Sequence, residues 1–247
     1  MNKILTNLFI KWTVVSQFVE LMNHSAMALG NHEFDDGIES NSTGNIEVIG
    51  LAPFVDKMWQ KLPILSCNLD ISREPLLQGK VFNSIVKEIA GKKIAIIGYT
   101  IPDTVYLASP GDTVEFKEEI VSIRKEIDVL KKNHPDINIF IALGHSGFAK
   151  DIEIAKSIPQ LDVVVGGHTN TFLYTGKPPS NDVPEREYPV EIKHDDGNMT
   201  LVVQAYAYGK YLGKLDLQFD ESGKIEKYSG SPILLDESQE EGKTEFS

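Results

Sequence analysis

Three times in this chain a run of Val, Ile, Leu and Ala ends in glycine and then in a turn bearing histidine, and that recurrence limits the fold more than any other feature. The runs are Ala26–Leu29 before Gly30-Asn31-His32, Ile137–Leu143 before Gly144-His145, and Leu161–Val165 before Gly166-Gly167-His168. Short apolar runs bounded by glycine read as buried strands, and Pro63–Ser66 and Lys93–Gly98 belong with them. Between them lie stretches of helical period. Glu115–Lys132 has apolar residues at Ile120, Ile123, Ile127 and Leu130, and Phe148–Ser157 is a shorter helix. Strands alternating with helices predict an α/β fold. Leu8, Trp12, Val15, Phe18 and Met22 recur at spacings of three and four, which predicts an N-terminal helix packing that face on the core. Beyond residue 190, Leu201–Tyr208 and Tyr211–Phe219 read as antiparallel strands joined around Gly209. Residues 174–189, with Pro178, Pro179, Pro184 and Pro189, read as one long surface loop within a single domain.

Composition removes several function classes. The 247 residues carry 24 Lys+Arg against 36 Asp+Glu, a net charge of −12, which excludes a protein built to coat phosphate backbones. At 41% hydrophobic and 24% charged residues, the chain is of ordinary globular composition. Cys67 stands alone, so no intrachain disulfide forms. No uncharged apolar run approaches the roughly 20 residues of a membrane-spanning helix. Asn23-His24-Ser25, Asn41-Ser42-Thr43 and Asn198-Met199-Thr200 are N-glycosylation triplets, compatible with secretion.

The chemistry sits in the turns after the strands, where open α/β sheets gather ligands. In Gly30-Asn31-His32-Glu33-Phe34-Asp35, Asn31 can offer a carbonyl oxygen to a cation and His32 can act as ligand or acid. Asp35, three residues on, can orient the imidazole. The competing reading is a helix start with Asn31 as its cap. His145 and His168 would each, alone, be structural residues beside a glycine turn. Jointly, half of the chain's six histidines follow buried strands and glycine. That suits a metal site of imidazole and amide donors, zinc or manganese rather than calcium. His24 and His194 lack this context and read as surface residues.

With these residues in place the sequence resembles the calcineurin-like metallophosphoesterases, and within them the 5'-nucleotidase family with its ecto-5'-nucleotidase and salivary-apyrase branches. The resemblance runs from about Val15 to Asp236. It is carried by Met27-Ala28-Leu29 leading into Gly30–Asp35, by Ala142–Phe148, by Val163–Lys177 and by Val203–Gly213. It implies a four-layer sandwich of two mixed sheets flanked by helices and metal-assisted hydrolysis of nucleotide phosphates. It implies Asn31, His145 and His168 as ligands of one divalent ion, Asn170 on the second, zinc as the metal, and His32 stabilising the transferring phosphoryl group with Asp35 orienting it.

The family's first strand bears an Asp-x-His pair followed by a Gly-Asp pair, and residues 1–14 contain no aspartate or histidine. The expectation is therefore a domain over 1–235 with its first strand or strands missing, followed at 236–247 by an acidic tail or the start of an interdomain linker. At most one metal site is then well formed and turnover is impaired, and the residues that grip the nucleotide, placed by the family in a further domain, fall outside the chain. The expected partner is AMP, ADP or ATP, not nucleic acid, and the expected location is extracellular, secreted or surface-anchored. Alternatives are a catalytically dead scaffold acting as a secreted binding protein, or a UDP-sugar or cyclic-nucleotide hydrolase.

Overall fold

A computed structural model describes residues 12, 14–39, 41–43, 46–48 and 50–236 of the chain. Leu8 of the N-terminal pattern and nearly all of the acidic tail lie outside the described residues. The chain divides into two compact units, Met1–Ser146 and Gly147–Ser247.

The first unit runs from helix α1 (14–21) through β1 (Met27–Ala28), a 3-10 turn (Asn31–Phe34), β2 (Asn41–Thr43), β3 (Ile46–Val48), α2 (Leu51–Met58), β4 (Ile64–Leu65), β5 (Leu69–Asp70) and β6 (Val81–Phe82). It continues through β7 (Ser84–Ile89), β8 (Lys92–Thr100), α3 (Thr104–Leu107), β9 (Glu115–Phe116), α4 (Glu119–Asn133) and β10 (Ile139–His145). β4 pairs in parallel with both β1 and β6, and β8 pairs in parallel with β10 and antiparallel with β7. Helix α4 turns Ile120, Ile123, Ile127 and Leu130 inward and packs on β8. The second unit holds α5 (Phe148–Ser157), β11 (Val163–Val165), β12 (Val190–Lys193), β13 (Met199–Val203), β14 (Tyr211–Phe219) and β15 (Ile225–Leu234). β13 pairs in parallel with β11 and antiparallel with β12, while α5 packs on β11 and β13. The fold is thus mixed α/β, with parallel and antiparallel pairs and helices against the sheets.

Four expectations need correction. Helix α1 exists, but Val15, Phe18 and Met22 are exposed, and its buried residues are Trp12 and Ser16 with Val19 half-buried. Trp12, buried as expected, packs on Phe54 with ring centroids 4.8 Å apart, and with the small Ser16 four residues on it sets the buried side, so that only the later members of the predicted stripe face outward. Helix α4 starts at Glu119 rather than Glu115, because Glu115–Phe116 pairs with β5 and the Glu118 carboxylate caps the helix on the Val121 N–H at 2.7 Å. Leu201–Tyr208 and Tyr211–Phe219 do not form a hairpin. Tyr206 and Tyr208 take left-handed φ of 67° and 58°, which no ladder continues, and β14 pairs with β15 instead.

The 174–189 segment is a loop, pinned at its base by Thr175, whose hydroxyl bonds both N–H and C=O of Tyr188, and at its tip by Asp182. Asp182 accepts from Ser180 and Tyr211 and pairs with Lys210, whose ammonium holds the Asp182 carboxyl down at about 2. His194 is half-buried and bonds the buried Thr200 hydroxyl at 2.8 Å, where a surface residue was expected.

Candidate active site

In the first unit, Gly30–Asp35 leaves the end of β1 and folds into the 3-10 turn. Phe34 anchors it, with no exposed surface and an edge-on contact to Phe116 at 5.4 Å. Gly30, not Asn31, is the residue before the turn, and the Glu33 carboxylate reaches back to accept the Gly30 N–H at 2.6 Å. Burial raises the Glu33 carboxyl above its ordinary value against the pull of that hydrogen bond. Freed from capping, Asn31 is buried and turns Oδ1 toward His145 Nε2, 3.1 Å away. A Cβ on Gly30 would stand 2.9 Å from the His145 ring, so glycine lets the imidazole lie against the backbone. His32 and Asp35 form a second pair, with Nδ1 2.9 Å from Oδ2. Both are exposed, and such a pair contributes only about 0–1 kcal/mol to stability. What it fixes is the ring: an Nδ1–H donated to Asp35 leaves Nε2 facing outward.

Beneath this turn lies a buried polar knot. Asn68 donates to the carbonyls of Thr100 and Lys117 at 2.7 and 2.8 Å and accepts the Thr100 N–H at 2.9 Å. The Thr100 hydroxyl donates to the Leu29 carbonyl at 2.9 Å, directly before Gly30. Thr100 is also the register partner of His145. The strand ends that carry Asn31 and His145 are thereby tied to one another.

In the second unit, Gly166–Thr171 follows β11. His168 is half-buried and Asn170 exposed, with left-handed φ of 73° and 54°. Thr169 Oγ1 accepts the Phe148 N–H at 3.0 Å and lies 2.8 Å from the Thr171 hydroxyl.

The donor chemistry of the first unit suits a divalent ion in part. An amide oxygen and an imidazole nitrogen 3.1 Å apart match the spacing of neighbouring ligands, roughly 3.0–3.4 Å for bonds of about 2.1 Å. Among the described residues, no group of three or more His, Cys, Asp or Glu is placed to hold an ion.

Known proteins resemble this chain along nearly all of its length. The 5'-nucleotidase of Diplobatis ommata is 46% identical over 232 residues, covering 93% of this chain and 38% of the relative. A snake venom 5'-nucleotidase of Naja atra is 43% identical over 236 residues, covering 94% of this chain and 42% of the relative. The crystal structure of a 5'-nucleotidase precursor from Thermus thermophilus superposes with a TM-score of 0.81 at 33% identity, covering 92% of this chain and 42% of that one. Over nearly its whole length this chain matches part of these 5'-nucleotidases. It spans about two fifths of the length of these relatives. No family model matches the chain.

Beside the site residues the chain carries supporting residues that the sequence pattern did not single out: Asn68, Thr100, Asp151 and Gln204. Each is buried and polar inside an apolar pattern. Gln204 follows Leu201-Val202-Val203, and Asp151 occupies the helix phase of Phe148, Ile154 and Ala155. A polar residue at a core position needs partners, and that was the available signal.

Proposed function

We propose that this chain is the metallophosphoesterase portion, residues 1–235, of an enzyme that hydrolyses nucleotide phosphate esters or anhydrides, with AMP, ADP or ATP as substrate. The observation that carries the reading is the Asn31–His145 donor pair at 3.1 Å, set at strand ends in a chain 46% identical to a 5'-nucleotidase. Asn31 and His145 in the first unit, and His168 and Asn170 in the second, serve as ligands of divalent ions, zinc by donor type. Bound ions of this kind supply an activated water and neutralise phosphate oxygens. The chain's own groups do the rest. His32, with Nδ1 held by Asp35, presents Nε2 to hydrogen-bond a phosphoryl oxygen as its charge grows. Phe34 and Glu33 keep the turn rigid, so that the ring is oriented in advance.

Likeness to a venom enzyme and an exposed Asn23-His24-Ser25 triplet support action outside the cell. Among the described residues no helix is long and apolar enough to cross a membrane. A second reading is a binding scaffold without turnover, favoured by the lack, among the described residues, of a cluster of three His, Cys, Asp or Glu side chains.

A chimera separates the two readings. The segment of the Diplobatis ommata 5'-nucleotidase that matches this chain is replaced by this chain's own residues, and phosphate release from AMP is measured. The enzyme reading expects turnover within about tenfold of the parent, abolished by His32→Ala with His168→Ala. A folded chimera at the background of that double variant would establish the scaffold reading.

A further inference from the structure

The loop that bears His168 and Asn170 is gripped at both ends by one buried side chain. Gln204, 3% exposed, donates from Nε2 to the Gly167 carbonyl at 3.0 Å and accepts the Thr171 N–H on Oε1 at 3.1 Å. The residues between those two points are His168, Thr169 and Asn170. The same Nε2 donates to Oδ2 of Asp151 at 2.6 Å, and Asp151, on α5, has no exposed surface. A Cβ on Gly166 would fall 1.8 Å from that carboxylate oxygen, so only glycine lets the loop pass so close to Asp151.

We infer that Gln204, oriented by Asp151, is a positioning residue that fixes the backbone from Gly167 to Thr171 and so holds the side chains of His168 and Asn170 where they bind their ions; this rests on the reading of those two residues as ligands. The physical case comes from strain. Non-glycine residues in the left-handed region cost of order 1–3 kcal/mol each and persist where the surroundings over-determine them. Two such residues, one apart, sit within a single loop. Gln204 supplies the determination: its amide plane bonds the carbonyl before His168 and the N–H after Asn170, fixing the span of the strained segment. Asp151 fixes the amide plane in turn. A carboxylate accepts only, so Nε2 faces it, and Oε1 is left to face Thr171. Support of this kind behind ligands typically sets affinity by roughly 10–100-fold.

The test uses the full chain with four variants: Gln204→Met, Gln204→Glu, the exchange Asp151→Asn with Gln204→Glu, and His168→Ala. Two quantities are read. One is hydrogen exchange of amides 168–171 in metal-free protein, and the other is Zn²⁺ affinity by calorimetric titration. Gln204→Met is expected to speed exchange of the loop amides at least tenfold, to change those of α5 and β11 less than twofold, and to weaken Zn²⁺ about tenfold or more. Gln204→Glu gives the same readouts should the Met variant fail to fold. The exchange variant restores a donor and acceptor between positions 151 and 204 but takes the side-chain donor from the Gly167 carbonyl, which keeps only the Thr169 N–H. It is therefore expected to regain the wild-type melting temperature while the loop stays loose and Zn²⁺ binding weak. Full recovery of loop exchange and affinity in the exchange variant, or loosening spread equally through α5 and β11, would mean that the pair merely ties helix to strand and would overturn the inference. If His168→Ala leaves Zn²⁺ affinity unchanged, the ligand reading fails by itself, and the exchange data still decide whether Gln204 holds the loop.

Discussion

The two loops that carry the site residues are held by different means. Gly30–Asp35 is fixed from inside by an aromatic anchor and by backbone hydrogen bonds to neighbouring strands, with Phe34 at zero exposure and the Thr100 hydroxyl on the Leu29 carbonyl. Gly166–Thr171 has no such anchor among its own side chains. It depends on Gln204, Asp151 and Thr169, and it spends two left-handed residues in doing so. A loop packed by its own sequence tolerates loss of a polar contact nearby. A loop positioned by one distant amide does not. The first arrangement suits a rigid orientation of His32, the second a fine adjustment of His168 and Asn170.

That contrast breaks first at Phe34. Phe34→Ala removes a fully buried ring and should cost about 3–5 kcal/mol in urea unfolding. A cost below 1 kcal/mol would show that the first loop is not core-anchored. Asn68→Ala comes next. It leaves the carbonyls of Thr100 and Lys117 and the Thr100 N–H short of partners in a buried place, for about 2–3 kcal/mol. Faster hydrogen exchange should then appear at the ends of β8 and β10, while amides 166–171 stay as protected as before.

How much of this could be read from the sequence follows the same division. Period and composition located β8, β10, α5 and the turns bearing His32, His145 and His168, because buried strands and amphipathic helices leave a local pattern. The Asp35–His32 contact was legible from a spacing of three residues. The burial of Trp12 was legible too, but the outward turn of Val15, Phe18 and Met22 was not, since it is set where Trp12 meets Phe54, a contact 42 residues away in sequence. The pairing of β14 with β15 was hidden by Tyr206 and Tyr208, residue types that rarely adopt positive φ. Gln204 and Asp151 are 53 residues apart, and only the fold joins them.

Smaller effects sharpen the comparison. In the chimera, Asp35→Asn should lower AMP turnover at least tenfold by freeing the His32 ring, while Asp36→Asn should leave it within twofold. Equal effects would mean that the pairing does not orient the imidazole. The first loop should also respond to pH through Glu33. A carboxyl raised by burial favours the folded state while protonated, so its contribution is present below its unfolded value and fades as pH rises through the folded one. Glu33→Gln should remove that dependence from unfolding curves measured between about pH 4 and pH 8. The smallest effect belongs to the 174–189 loop. The Asp182 carboxyl, lowered to about 2 by Lys210, contributes above its unfolded value near 4 and loses that contribution as pH falls toward 2. Proteolysis within the loop should therefore rise over that acid range and lose the dependence in Asp182→Asn.

The most direct measurement is anomalous diffraction at the zinc edge from crystals of this chain soaked in Zn²⁺. An ion is expected to bond both Asn31 Oδ1 and His145 Nε2 at roughly 2.0–2.2 Å, replacing the hydrogen bond that now joins them. Zinc density elsewhere, with that hydrogen bond intact, would contradict it.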